Sequence, residues 1–153
     1  MKTFNDLIAD VSENVTEIFP WDLEEIFEDR TPLLLDVREC YEFDAMHITH
    51  SINVPRGILE TACDFNYDET IPDLAGNKKQ EIIVVCRSGN RSILAADTMQ
   101  KMGFSNVVSL KTGIRGWNDS DQPLLDQNNQ TVDPDHAEEY LKVKVRPDQL
   151  APT

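Results

Sequence analysis

An α/β fold with a central, mainly parallel sheet and helices on both faces is predicted by three observations. The runs Leu33-Leu34-Leu35, Ile82-Ile83-Val84-Val85 and Val107-Val108-Ser109-Leu110 are short and nearly continuously apolar, as strands buried on both faces are. Helix-period segments separate them, which implies right-handed crossovers between parallel strands. The chain of 153 residues is 40% hydrophobic, enough for the core of one domain with extensions.

The elements follow in order. Phe4, Leu7, Ile8 and Val11 recur at helical spacing behind Thr3, an N-cap residue type, and predict an amphipathic helix. Val15–Ile18 reads as a short strand. Pro20 opens a second helix with Leu23, Ile26 and Phe27 on one face, and the Leu33–Leu35 strand then ends at Asp36. Glu39–Met46 is predicted helical and Ser51–Val54 a strand. Residues 57–81 mix helix and loop around the turn residues Asn66, Pro72 and Gly76. The Ile82–Val85 strand leads into a helix that runs to Met102, where Gly103 stands at its C′ position. After the Val107–Leu110 strand, Gly113-Ile114-Arg115-Gly116-Trp117 is a turn entering a short helix.

Beyond Trp117 the runs Asn118-Asp119-Ser120-Asp121 and Asp126-Gln127-Asn128-Asn129-Gln130 are too polar to fill a core. Three parts are expected: an amphipathic helical extension over 1–14, the α/β domain over 15–118, and an acidic polar tail over 119–153. Within that tail Asp133-Pro134 is a helix start, with Ala137, Tyr140 and Leu141 on one face, and one or two turns of helix are expected to dock.

The net charge is −14, and it sits on the ends. Residues 1–30 hold nine acids against two bases, residues 119–153 eight against three, and the middle eleven against nine. Such a surface disfavours nucleic acid and anionic membranes and serves solubility or a basic partner. No apolar run is long enough to span a bilayer, and the first residues carry acids where a signal peptide has a basic region. The reading is a cytoplasmic protein. Three cysteines, Cys40, Cys63 and Cys86, with no C-x-x-C pair or accompanying His spacing, argue against a disulfide framework or a zinc site. Neither metal nor organic cofactor is expected.

Thiol chemistry remains, and Cys86 is its natural place. It closes an apolar strand and opens the loop Cys86-Arg87-Ser88-Gly89-Asn90-Arg91-Ser92 before a helix. Free loop N–H groups, the positive end of that helix and two arginines all stabilise an anion at their centre. The plainer alternative is a buried Cys before an ordinary Ser-Gly-Asn turn. Ligands of open parallel sheets bind beyond the carboxyl ends of the strands. Asp36 and Arg38, Cys86, and Lys111, Arg115 and Trp117 all fall at such ends.

The segments Asp36-Val37-Arg38-Glu39-Cys40-Tyr41-Glu42-Phe43, His47-Ile48 with Asn53-Val54-Pro55, the Cys86–Ser92 loop, and Met102-Gly103-Phe104 through Leu110 to Gly113-Ile114-Arg115-Gly116-Trp117 resemble the successive motifs of the rhodanese family. The resemblance covers roughly residues 15–118. It implies a parallel sheet of about five strands and a sulfurtransferase in which a Cys takes sulfane sulfur from a donor as a persulfide and passes it to a thiophilic acceptor. The nucleophile maps onto Cys86 and the substrate-binding loop onto Arg87, Ser88, Gly89, Asn90 and Arg91. Donors of the type expected are thiosulfate or a low-molecular-weight persulfide. The acceptor is a thiol or other thiophile, including a protein.

The chemistry is self-consistent. A persulfide's terminal sulfur is anionic near neutrality, and amides, a helix N-terminus and guanidinium groups offset its charge without donating a proton. No histidine base is needed beside Cys86, unlike in a cysteine protease. The pattern departs from the family at Met46, where many members have Gly before the His, and at His50-Ser51, where they have Gly-Ala. The turn there must be built differently.

Accessory residues have plainer roles. Asp36 and Arg38 read as a structural pair or an anchor to Glu42, His47 as a hydrogen-bonded structural residue, and Trp117 as core. Arg91 reads equally as an anion ligand or a carbonyl cap, and Arg87 as a selector of anionic donors or a solvated surface group. Cys63 reads as a small buried residue, with resolution of oxidised Cys86 as the alternative. Cys40 reads as structural. Two other functions compete. Phosphatases that share this fold place five residues between Cys and Arg, whereas four separate Cys86 from Arg91 and Ser92 stands at the phosphatase arginine's position. A sulfur-carrier or regulatory binding module would keep the loop with little turnover of small molecules.

Overall fold

The computed structural model describes residues 1–153. Thr3 caps helix α1 (Phe4–Ser12) with a reciprocal box to Asp6. Strand β1 (Thr16–Ile18) and helix α2 (Pro20–Asp29) follow, then β2 (Leu33–Asp36), α3 (Cys40–Ala45) and β3 (Ser51–Asn53). The long connection holds a 3₁₀ turn (Arg56–Ile58) and the one-turn helices α4 (Leu59–Ala62) and α5 (Pro72–Ala75). The second half runs β4 (Ile82–Val85), α6 (Asn90–Lys101), β5 (Val107–Leu110), α7 (Gly113–Asp119) and α8 (Pro134–Leu141).

All five strands are parallel, in the order β1-β5-β4-β2-β3. Strand β4 is central, flanked by β2 and β5, so every one of its side chains is buried. The two-residue period assigns its residues to opposite cores. Ile82, Val84 and Cys86 join Leu35, Ile93, Ala96 and Met99 on one face, with Ile8 and Val11 of α1 packed against them. Ile83 and Val85 join Leu34, Leu110, Leu23, Ile114 and Trp117 on the other.

Residues beyond 118 also fill this second core. Leu124, Ala137 and Leu141 are all at most 1% exposed. Trp117 Nε1–H donates to the Pro123 carbonyl at 2.9 Å, fixing the turn that brings the chain back. No helix is long and apolar enough to cross a membrane.

Candidate active site

Cys86 leaves the central strand at its carboxyl end, where the sheet's crossovers open a crevice. Its side chain is 1% exposed. The chain turns at Gly89, whose φ of +100° suits a residue without Cβ, and enters α6 at Asn90. This turn aims two amides at the sulfur: the Gly89 N–H donates to Sγ at 3.1 Å and the Ser92 N–H at 3.3 Å. The thiol lies 3.3 Å from Ser92 Oγ. Ser92 Oγ in turn donates to the Gly89 carbonyl at 3.1 Å and shares a hydrogen bond of 2.7 Å with Ser109 Oγ on β5. Ser92 and Ser109 are thus site residues that the sequence reading did not single out. A serine in the otherwise apolar run Val107-Val108-Ser109-Leu110 was the available signal at 109.

Helix α7 clamps the loop from below. The Ile114 N–H donates to the Cys86 carbonyl at 2.9 Å and the Arg115 N–H to the Arg87 carbonyl at 3.0 Å. Such close approach requires glycine before them. Gly113 has φ +59°, and a Cβ there would stand 2.5 Å from the Arg87 carbonyl.

Arg91 lines the cavity at Cys86, yet its guanidinium forks onto Glu42, with bonds of 2.8 and 2.9 Å. It caps no carbonyl. Burial pushes the Glu42 carboxyl up, but hydrogen bonds from Arg91 and from the Glu39 N–H, with the charges of Arg91 and Arg38, outweigh it. The carboxyl is held below its ordinary range. The same hydrogen bond raises the Arg91 guanidinium, which stays charged. Arg87 is different: its Nε is buried with no hydrogen-bond partner.

Three cavities meet around the loop. One of about 90 Å³ lies at Cys86 itself, bounded by Arg87, Ser88, Asn90 and Arg91, with Phe4 of α1 at its edge. Across Ser88 opens a cavity of about 450 Å³ walled by Phe19, Trp21, Thr112 and Arg115. The rings of Phe19 and Trp21 stack at 4.5 Å, and Lys111 Nζ lies 5.1 Å from the Phe19 ring centre. Across Arg87 opens a third cavity, of about 260 Å³, reached by Tyr41, Tyr140, Lys142 and Lys144.

The remaining candidates serve the frame. Arg38 is fully buried; its guanidinium binds Asp36 at 2.8 and 3.0 Å and donates to the carbonyls of Glu42 and Met46, closing the end of α3. His47 Nδ1 lies 2.8 Å from the Phe43 carbonyl and its ring stacks on Phe43. Trp117 is core, edge-on to Phe27. Cys63 is fully buried, and burial pushes its thiol up to about 11, which makes it a poor partner for resolving an oxidised Cys86. Cys40 is exposed rather than packed. No group of three or more His, Cys, Asp or Glu is placed to hold a metal ion.

Comparison with known proteins identifies the family. The Rhodanese-like domain family matches residues 20–120. The chain is 34% identical over 110 residues to YrkF, a candidate sulfur carrier protein of Bacillus subtilis, covering 69% of this chain and 54% of that one. It is 33% identical over 94 residues to a candidate mitochondrial thiosulfate sulfurtransferase of Schizosaccharomyces pombe, covering 60% and 66%. The chain therefore spans only about half to two thirds of these relatives. Among solved structures, RPA3614 of Rhodopseudomonas palustris, a protein of unknown function named as a candidate tyrosine phosphatase, superposes with a TM-score of 0.73 at 23% identity. That match covers 81% of this chain and 95% of that one, and at such identity it speaks for the fold alone.

Proposed function

This chain belongs to the rhodanese-like family, and from that premise we propose that it is a sulfurtransferase working through a Cys86 persulfide. The observation that carries the reading is the pair of amides, from Gly89 and Ser92, donating to the Cys86 sulfur at the end of the central strand. With thiosulfate, the Cys86 thiolate attacks the sulfane sulfur. A new S–S bond forms to Sγ while the old one breaks, its electron pair leaving with sulfite. The product is a Cys86 persulfide anion. An acceptor thiolate then attacks the terminal sulfur, carries it off as its own persulfide and restores the Cys86 thiolate. No redox partner enters, and the two steps give ping-pong kinetics.

The terminal sulfur lies one S–S bond of about 2.05 Å beyond Sγ. There it meets the loop amides of Arg87, Ser88, Asn90 and Arg91 that Sγ itself does not engage, at the start of α6. Donors oriented electrostatically without reorganisation are worth most in such a water-poor site. The cavity at Cys86, about 90 Å³, has room for added sulfur and little else. The sulfur chemistry is assigned to residues 15–118, with 1–14 as an extension and with Leu124, Ala137 and Leu141 of 119–153 completing the core that holds them, in a cytoplasmic setting.

Phosphoryl transfer is the weaker reading, because the hydroxyl and amide of Ser92 stand where a phosphatase of this fold needs an arginine. The carrier reading keeps the same persulfide but reserves it for a protein acceptor, in line with the name of the Bacillus relative.

Intact mass decides between them. After thiosulfate, the wild type is expected to gain the mass of one sulfur and a Cys86→Ser variant none. A thiol should then remove it. A wild type that never gains sulfur refutes sulfur transfer, while loading without release to small thiols favours the carrier.

A further inference from the structure

The third cavity has a composition at odds with the rest of the protein. In a chain of net charge −14, it is lined by Arg87, Lys142 and Lys144, and its one acid, Glu42, is already bound bidentately by Arg91. The three bases of residues 119–153 all fall within Lys142-Val143-Lys144-Val145-Arg146. The backbone at Lys142 is extended (φ −61°, ψ 143°) and nothing helical follows until Pro147, so the two-residue period puts Lys142 and Lys144 on one side. Both ammonium groups share a single carboxylate, Glu139, at 3.1 and 3.6 Å, which leaves one positive charge uncompensated. The unpartnered Nε of Arg87 adds a buried donor, and Arg87 is the wall between this cavity and the one at Cys86.

We propose that this cavity holds the carboxylate-bearing body of a small thiol, with Arg87, Lys142 and Lys144 binding its carboxylates while its sulfur reaches across Arg87 to Cys86. The inference deepens the sulfurtransferase reading and rests on it, since it names the acceptor of that reaction. A body of peptide size suits about 260 Å³, where thiosulfate alone would leave most of the space empty. Two charges on flexible exposed stems recognise carboxylates as point charges, so the contribution is salt-sensitive. Lys142 and Lys144 lie outside the stretch that matches the family, so the selectivity belongs to this chain's own C-terminal segment.

The test compares sulfur transfer from thiosulfate to glutathione, which has two carboxylates, with transfer to uncharged 2-mercaptoethanol. The ratio of their kcat/KM values is the readout. A Lys142→Gln/Lys144→Gln variant is expected to lower that ratio about fivefold to tenfold, through KM for glutathione. Lys142→Arg/Lys144→Arg is expected to restore it. An unchanged ratio in the Gln variant, or an equal loss in the Arg variant, overturns the proposal. If the wild type transfers no sulfur at all, the underlying reading has failed separately. The site is then judged by calorimetry of S-methylglutathione with Cys86→Ser protein: binding that the Gln substitutions abolish upholds it, and no binding overturns it.

Discussion

At the residue scale, Glu42 links the frame to the chemistry. Its carboxylate is nearly buried and holds Arg91 at the edge of the Cys86 cavity. Because its proton affinity is lowered on folding, the stabilisation it brings is fully present above the unfolded value, about 4.3, and is lost as pH falls through the lower folded value. Glu42→Gln is expected to cost about 1–2 kcal/mol at neutral pH, a modest figure because Arg91 is a third exposed. Denaturant titrations from pH 7 downward should show the gap to wild type closing below about pH 4. A gap that persists in acid would mean that the ion pair is not its source.

At the scale of the element, the turn between α3 and β3 shows how this chain meets a demand that relatives meet with glycine. His50 adopts φ +63° there, a left-handed conformation tolerated by histidine but strained for any residue with a Cβ. The neighbouring strand is nonetheless held: Asn53 Nδ2–H₂ donates to the carbonyls of Asp36 and Arg38 at 3.0 and 2.9 Å. His50→Gly should therefore raise stability by about 0.5–1 kcal/mol, the relieved strain exceeding the added freedom of the unfolded chain. A midpoint that falls in thermal or urea unfolding would show that the histidine side chain contributes more than its backbone costs. The turn at Gly113 allows no such substitution, since the Cys86 loop passes too close.

For the whole molecule, the acidic ends behave unequally. Helix α1 packs beside α6 and brings Phe4 to the site, while α8 inserts Ala137 and Leu141 into the core with Trp117. A chain stopped after 118 loses Leu124, Ala137 and Leu141, and each buried leucine alone is worth about 2–5 kcal/mol. It is expected not to fold. A chain stopped after Leu141 removes only exposed residues and should give the same circular dichroism and nearly the same melting temperature as the full chain. Folding of the shorter piece would mean that the second core closes without α8.

The sequence by itself determined the parallel α/β class, the strands around Leu35, Val84 and Val108, the family and the position of Cys86. All of these are local: apolar runs, helical periods and contiguous motifs stand within a few residues of one another. The tail's helix and its docking face were legible in Asp133-Pro134 and in Ala137, Tyr140 and Leu141, but the entry of Leu124 into the core was not, because the polar runs on either side hide it. Tertiary structure alone decided that Arg91 answers to Glu42, that Ser109 supports Ser92 beneath the sulfur, and that Lys142 and Lys144 arrive beside Arg87. Each pairing joins residues well separated along the chain, 17 positions for Ser92 and Ser109 and 49 for Arg91 and Glu42, and no spacing in the sequence encodes a contact that only the packing of the elements creates.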